Sequence, residues 1–316
     1  MTVVLDQAAT RAALPWGPLI GGLARIFREG CDMPLRHHHE FSVPGETPGT
    51  LLLMPAWLPG QYLGLKMVTV VPGNAARGLP AIAGAYLLSC GRTGGLLAML
   101  DGAELTARRT AAVSALAASY LAPPEAARLL VVGAGRLSLN LIQAHAQVRP
   151  VRNIEIWARR NEQAAEVFAA ARGLGFDARV AGDLEDAARR ADIVSCCTLS
   201  QTPLIRGTWL KPGAHLDLVG AFKPGMRESD DLAVQQASVF ADTREGVLSE
   251  GGDIVQPLRA GLIGADHLRG DLYDLCRGQH PGRRGAEEFT LFKSVGAALE
   301  DLAAARLAYE TFTATR

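Results

Sequence analysis

The 316-residue sequence predicts an α/β protein: a doubly wound, mostly parallel sheet joined to a second domain of mixed α+β character. Three observations predict it. Short apolar runs alternate with amphipathic stretches between residues 129 and 241 at the rhythm of βα units. The first run, 129–132, ends in Gly133-Ala134-Gly135, as a strand covered on both faces does when it turns tightly into a helix. Ahead of it, Pro123-Pro124 stops an alanine-rich helical stretch and separates two different rhythms.

Taken in order, residues 14–29 place Leu19, Leu23, Ile26 and Phe27 on one helical face, and Gly30 closes the segment. Residues 33–41 read as a strand, with Arg36, His38 and Glu40 on one face and Leu35, His37, His39 and Phe41 on the other. Further strands are expected at 51–57, 62–71 and 83–90, broken by Pro59-Gly60 and Pro72-Gly73, with a turn at Asp101-Gly102 and a helix over 106–121. The second rhythm gives strands 129–132, 154–157, 178–180, 193–197, 215–219 and 239–241, with helices over 136–147, 161–172 and 184–190. A closing helix over 295–309 carries Val295, Ala298, Leu299, Leu302, Ala305 and Tyr309 on one stripe. Arg306 interrupts that stripe, and fraying is expected over 310–316.

Thirty-two basic residues balance thirty-two acidic ones, so no overall field favours nucleic acid or an anionic membrane. No apolar run approaches the ~20 residues of a membrane span. Five cysteines with no C-x-x-C pair point to reduced thiols and a cytoplasmic protein. The run His37-His38-His39 invites a metal site. Strand alternation turns the middle ring away from the others and no cysteine or second histidine cluster matches it, so no metal is expected.

The glycine turn has the outline of a dinucleotide site. Gly133 permits the tight turn, Gly135 lets a pyrophosphate approach bare backbone at the start of a helix near Arg136, and Ser138 stands where the pattern usually has glycine or alanine. The second strand of the unit ends Ile156-Trp157-Ala158-Arg159-Arg160, without the carboxylate that takes the ribose hydroxyls of NAD. Two guanidinium groups stand where a 2′-phosphate would sit, so NADP(H) is favoured and NAD(H) is the alternative.

Several stretches together resemble the ornithine cyclodeaminase/mu-crystallin family: Met33-Pro34-Leu35-Arg36, Gly64-Leu65-Lys66-Met67-Val68, Asp101 to Ala112, Gly133-Ala134-Gly135, Lys211-Pro212-Gly213-Ala214-His215 and Phe292-Lys293-Ser294-Val295-Gly296. The resemblance covers nearly the whole chain. It implies a Rossmann domain, 123–294, and a substrate-binding and dimerisation domain made of 1–122 with 295–316, in a homodimer that takes a small imino or amino acid. Carried over, Arg36, Lys66 and Arg109 hold the substrate carboxylate, and Lys66 is the candidate catalytic residue. Arg109, Thr110, Gly133, Gly135, Arg136, Leu137, Arg159, Arg160, Thr198, Leu199 and Ser294 would line the cofactor.

Members that cyclise ornithine carry an aspartate soon after the strand over 215–219. Aligning Val219-Gly220 puts Phe222 there, and a phenylalanine can neither accept a proton nor pair with a distal amine. Gly220 to Asp231 is more similar to the imine-reducing members, which implies NADPH-dependent reduction of cyclic ketimines such as pyrroline-2-carboxylate and piperideine-2-carboxylate. NAD-dependent ornithine cyclodeamination and a non-catalytic mu-crystallin-like binding role are the alternatives.

Overall fold

The computed structural model describes residues 2–314 and divides into two compact units, Met1–Arg109 with Ala298–Arg316, and Thr110–Ala297. The division falls inside the helix Gly102–Leu121 rather than at Pro123-Pro124, because that helix runs unbroken past the first unit.

The first unit is built on a six-stranded sheet of β1 (Val3–Leu5), β2 (His37–Phe41), β3 (Gly49–Leu58), β4 (Tyr62–Val70), β5 (Ile82–Cys90) and β6 (Leu96–Asp101). Its order is β1-β6-β5-β4-β3-β2, antiparallel except where β1 runs parallel to β6. The helix Ala298–Ala314 packs on β3, β4 and β5 and against the helix Trp16–Glu29, whose buried residues are Leu19, Leu23, Ile26 and Phe27. One cross-strand row on the covered face reads Met54, Lys66, Tyr86 and Leu100, all buried. Lys66 and Tyr86 are thus directly opposed on neighbouring strands. Gly64 makes room for the tyrosine, since a Cβ there would fall 1.9 Å from the Tyr86 hydroxyl.

Three local expectations change, and two elements are additions. The strand expected from residue 33 begins at His37, because Pro34 offers no ladder N–H and only Asp32 makes an isolated bridge, to Trp57. Arg36 therefore sits in the loop before β2. The turn expected at Asp101-Gly102 is a direct passage from β6 into the helix Gly102–Leu121, with Asp101 Oδ1 accepting from the Glu104 N–H at 2.7 Å. The sequence reading gave neither β1 nor the helix Gln7–Ala12, which Asp6 caps by accepting from Ala9 N at 2.8 Å. The last helix continues through 310–314, where fraying is expected. Glu310 is held there by Arg306 at 2.9 Å and by the Tyr62 hydroxyl at 3.1 Å. Residues 315 and 316 lie outside the described residues.

The second unit carries eight parallel strands: β7 (Arg128–Val132), β8 (Asn153–Trp157), β9 (Asp177–Val180), β10 (Ile193–Cys196), β11 (His215–Leu218), β12 (Ser238–Ala241), β13 (Leu268–Asp271) and β14 (Thr290–Lys293). Their order is β13-β12-β14-β11-β10-β7-β8-β9. The chain builds outward from β7 through β8 to β9, then returns to the other side of β7 at β10, which makes the β7/β10 edge the switch point of a doubly wound sheet. The expected strands and helices stand, with ends shifted by a residue or two. β13 and β14 are additions. Each has four residues, too few for a period to show, yet β14 is buried in the middle of the sheet between β11 and β12.

Candidate active site

In the second unit the loops after the parallel strands gather the expected cofactor residues. Gly133 follows β7 with φ +122°, and a Cβ there would lie 2.9 Å from the Cys197 sulfur, so only glycine fits. Gly135 is the reverse case: it is exposed, a Cβ would meet nothing within 4 Å, and it caps the helix Arg136–Val148 without any side-chain bond to the first turn. Bare backbone at an uncapped helix start suits a pyrophosphate. Ser138 is buried and donates its hydroxyl to the Gly133 carbonyl at 2.9 Å, bracing the turn from inside. Arg136 is exposed and Leu137 half-buried at the same corner.

Arg159 and Arg160 are both exposed beyond β8, ahead of the helix Asn161–Gly173. Arg160 Nε reaches the Gln163 side chain at 3.1 Å. Thr198 and Leu199 follow β10, next to the glycine turn at the switch point; Leu199 is 72% exposed. Ser294 follows β14, buried, and its N–H donates to the Leu218 carbonyl at 3.2 Å. Thr110 lies buried in the helix Gly102–Leu121.

The arrangement also relies on acids that do not stand out in the sequence. Glu228, fully buried, accepts from Thr198 N at 2.6 Å, Thr198 Oγ1 at 2.8 Å, Gly220 N at 2.8 Å and Ala221 N at 3.2 Å. One carboxylate thereby ties together the ends of β10 and β11. Burial pushes its pKa up to about 7, against the pull of the Lys293 ammonium and the donors from Thr198. Asp253 in turn holds Glu228 N at 2.7 Å and the Lys293 ammonium at 3.1 Å, and Asp242 accepts from Val295 N and Gly296 N at 2.8 and 2.7 Å. Glu228→Gln keeps the volume but turns an amide N–H₂ toward donors, and should destabilise the fold by about 1–3 kcal/mol. A thermal melt matching the wild type would remove this role.

Three more carboxylates, on either side of Phe222 in the sequence, are already engaged. Asp217 is fully buried and accepts from Ser195 Oγ at 2.6 Å and Ser114 Oγ at 2.9 Å. Asp230 caps the helix Asp231–Gln236 and accepts from Gly207 N, and Asp231 pairs with Arg227 at 2.8 Å. Phe222 is half-buried in the loop after β11, with the Lys223 ammonium 5.7 Å from its ring centroid.

The first unit holds the candidate substrate residues. Lys66 and Arg109 are 4% and 5% exposed and meet on one carboxylate: Asp301 takes Lys66 Nζ at 2.7 Å and Arg109 Nε at 2.8 Å, while Glu300 takes Arg109 Nη1 at 2.5 Å. The resemblance implies cations that hold a substrate carboxylate; the fold also supplies them with acids of its own. Burial lowers the Lys66 pKa to about 8; Asp301 opposes that shift and Arg109 adds to it. Arg108 has a separate task, bonding the Leu14 carbonyl at 2.9 and 2.7 Å and lying 4.0 Å over the Trp16 ring. Arg36 is half-buried in the loop before β2. The exposed rings of His37 and His39 share one face 6.2 Å apart.

Glu300 and Asp301 lie off the apolar stripe that the sequence suggests. Their signal was the absence of any polar face: the helix is buried all round from Ala298 to Ala305, and an acid on it has only the interior to face.

A doubly wound parallel sheet with an uncapped glycine turn at its switch point defines a dinucleotide-binding protein of the Rossmann class. Residues 16–316 match the model of the ornithine cyclodeaminase/mu-crystallin family, and the chain belongs to that family and, with it, to the NAD(P)-dependent oxidoreductases. It is 42% identical over 299 residues to Delta(1)-pyrroline-2-carboxylate reductase of Paracoccus denitrificans, covering 94% of this chain and 93% of that one. Ketimine reductase mu-crystallin of Rattus norvegicus is 35% identical over 298 residues, covering 94% and 91%. Thermococcus litoralis Delta(1)-pyrroline-2-carboxylate reductase, solved in complex with NADH and L-proline, superposes with a TM-score of 0.92 at 30% identity, over 99% of this chain and 98% of that one.

Proposed function

We propose that this chain is an NADPH-dependent reductase of cyclic ketimine carboxylates, converting pyrroline-2-carboxylate or piperideine-2-carboxylate to proline or pipecolate. The observation that carries the reading is that Asp217, Asp230 and Asp231 are each committed elsewhere, while the family resemblance puts Phe222 where cyclodeaminases carry their aspartate. None of these three is then spare for a distal amine, whereas a cyclic ketimine needs none: once its ring nitrogen is protonated, C2 is electrophilic.

When bound, the nicotinamide supplies hydride to C2, and the C=N electron pair passes to nitrogen. The chain's own residues orient and charge-match the substrate. Lys66 and Arg109, held by Asp301 and Glu300, engage its carboxylate, and Arg36 adds a third cation. Held this way, C2 has one approach, and orientation supplies much of the rate. Gly133, Gly135 and the open helix start take the pyrophosphate, with Thr198, Leu199 and Ser294 along the same edge of the sheet. Arg159 and Arg160 favour NADPH.

NADPH oxidation with the two cyclic imino acids, beside an assay for ammonia from ornithine, tests the reading. Imine-dependent oxidation is expected, and ammonia release with NAD would overturn it.

We extend the reading to a homodimer. The face of the six-stranded sheet opposite Lys66 presents Val4, Leu63, Met67 and Met99 at 63, 43, 41 and 39% exposure. Four large apolar side chains exposed on one sheet face fit a partner copy. Light scattering should give a dimer that Met67→Glu converts to monomer; a monomeric wild type would exclude this. No helix among the described residues is long and apolar enough to cross a membrane, and all five cysteines are thiols rather than disulfides, which fits a reducing cytoplasm.

A further inference from the structure

We propose that Asp301 is the positioning residue of the carboxylate clamp: a single buried carboxylate that sets the spacing of Lys66 and Arg109 and keeps Lys66 charged. The inference rests on reading those two cations as the substrate clamp.

The geometry is that of a bridge. Asp301 presents one oxygen to each cation, 2.7 Å to Lys66 Nζ and 2.8 Å to Arg109 Nε, and Glu300 adds a second bond to Arg109 at 2.5 Å. Both acids are fully buried on the helix Ala298–Ala314. Lys66 projects from β4, Arg109 from the helix Gly102–Leu121, and Tyr86 from β5, so three elements converge on the last helix. The titratable and charged groups facing Lys66 are Asp301, Glu300, Arg109 and Tyr86, with Cys31 beyond the tyrosine. The Tyr86 hydroxyl is buried and has no hydrogen-bond partner among the described residues.

Two cations this close repel, and burial penalises both. Arg109 cannot give up its proton, so the strain falls on Lys66, which can. A shared carboxylate resolves this by attracting both groups while fixing the distance between them. Without it Lys66 would sit neutral beside a charged guanidinium, and the clamp would offer a substrate carboxylate one cation instead of two. Glu300 adds to the same balance, bonding Arg109 at 2.5 Å and favouring the Lys66 ammonium through its charge.

The chain has just four lysines, Lys66, Lys211, Lys223 and Lys293, so the side-chain nitrogen of Lys66 can be followed by NMR of lysine-labelled full-length protein, assigned with Lys66→Met. Wild-type Lys66 should titrate near 8. Asp301→Asn should titrate at least about one unit lower, a tenfold loss in the charged-to-neutral ratio at any pH between the two. Asp301→Glu, which keeps the charge but shifts it by a methylene, should return the titration to near wild type while raising KM for the imine carboxylate several-fold.

A Lys66 that titrates identically in the wild type and in folded Asp301→Asn overturns the proposal. Should Asp301→Asn fail to fold, an Asp301→Glu enzyme with wild-type KM overturns the positioning role. The titrations need no substrate, so a failure of the ketimine-reductase reading shows in the assays and leaves the NMR result standing.

Discussion

Lys66→Met should lower kcat/KM for pyrroline-2-carboxylate by about 10²–10⁴-fold, the range spanned by losing a positioned proton donor or a charge-assisted anchor. The residue is 4% exposed and faces Asp301 at 2.7 Å, so its ammonium is held in one geometry. The methionine fills the stem's volume and removes the charge alone. Asp301 keeps Arg109 at 2.8 Å, which limits the penalty of an unpaired buried acid, and a thermal melt separates folding from chemistry. Because burial brings the Lys66 pKa down to about 8, the clamp loses this charge as pH rises through that value. KM for the imine carboxylate should therefore climb above pH 8 in the wild type and be flat there in Lys66→Met. An unchanged kcat/KM in the variant would remove Lys66 from the mechanism.

Arg159→Ala combined with Arg160→Ala should raise KM for NADPH about 10²-fold and leave KM for NADH within a factor of a few. Hydrogen bonds to a charged group contribute about 1.5–3 kcal/mol each, and solvent exposure of both arginines puts the expectation at the lower end for the pair. The double change is expected to be silent for folding, since Arg159 and Arg160 lie at the surface and Arg160 makes one side-chain bond, to Gln163. The Thermococcus litoralis relative was solved with NADH, so the comparison of both cofactors in the wild type comes first. A wild-type preference for NADH would sink the assignment, as would a variant that loses both cofactors equally.

The Rossmann half was legible because its signals are local. Leu129 to Val132 are buried on both sides and therefore apolar without interruption, and the turn Gly133-Ala134-Gly135 is visible in three consecutive residues. The same holds for the helix Trp16–Glu29, whose burial follows its apolar spacing. β14 was missed because four residues in the middle of a sheet need no period of their own. Glu228 was missed because its partners, Thr198, Gly220 and Ala221, are loop backbone brought together by sheet order.

By itself the sequence determined the parallel sheet, the nucleotide turn, the arginines in place of an acid after β8, and the presence of Lys66 and Arg109 in a non-nucleotide domain. Only the tertiary structure decided what surrounds those two cations. Glu300 and Asp301 lie 191 and 192 residues beyond Arg109, and become its partners once the last helix returns to the first sheet. Spacing along a chain reveals which residues share a face, but charge balance in a buried site depends on which faces meet, and that is settled by packing.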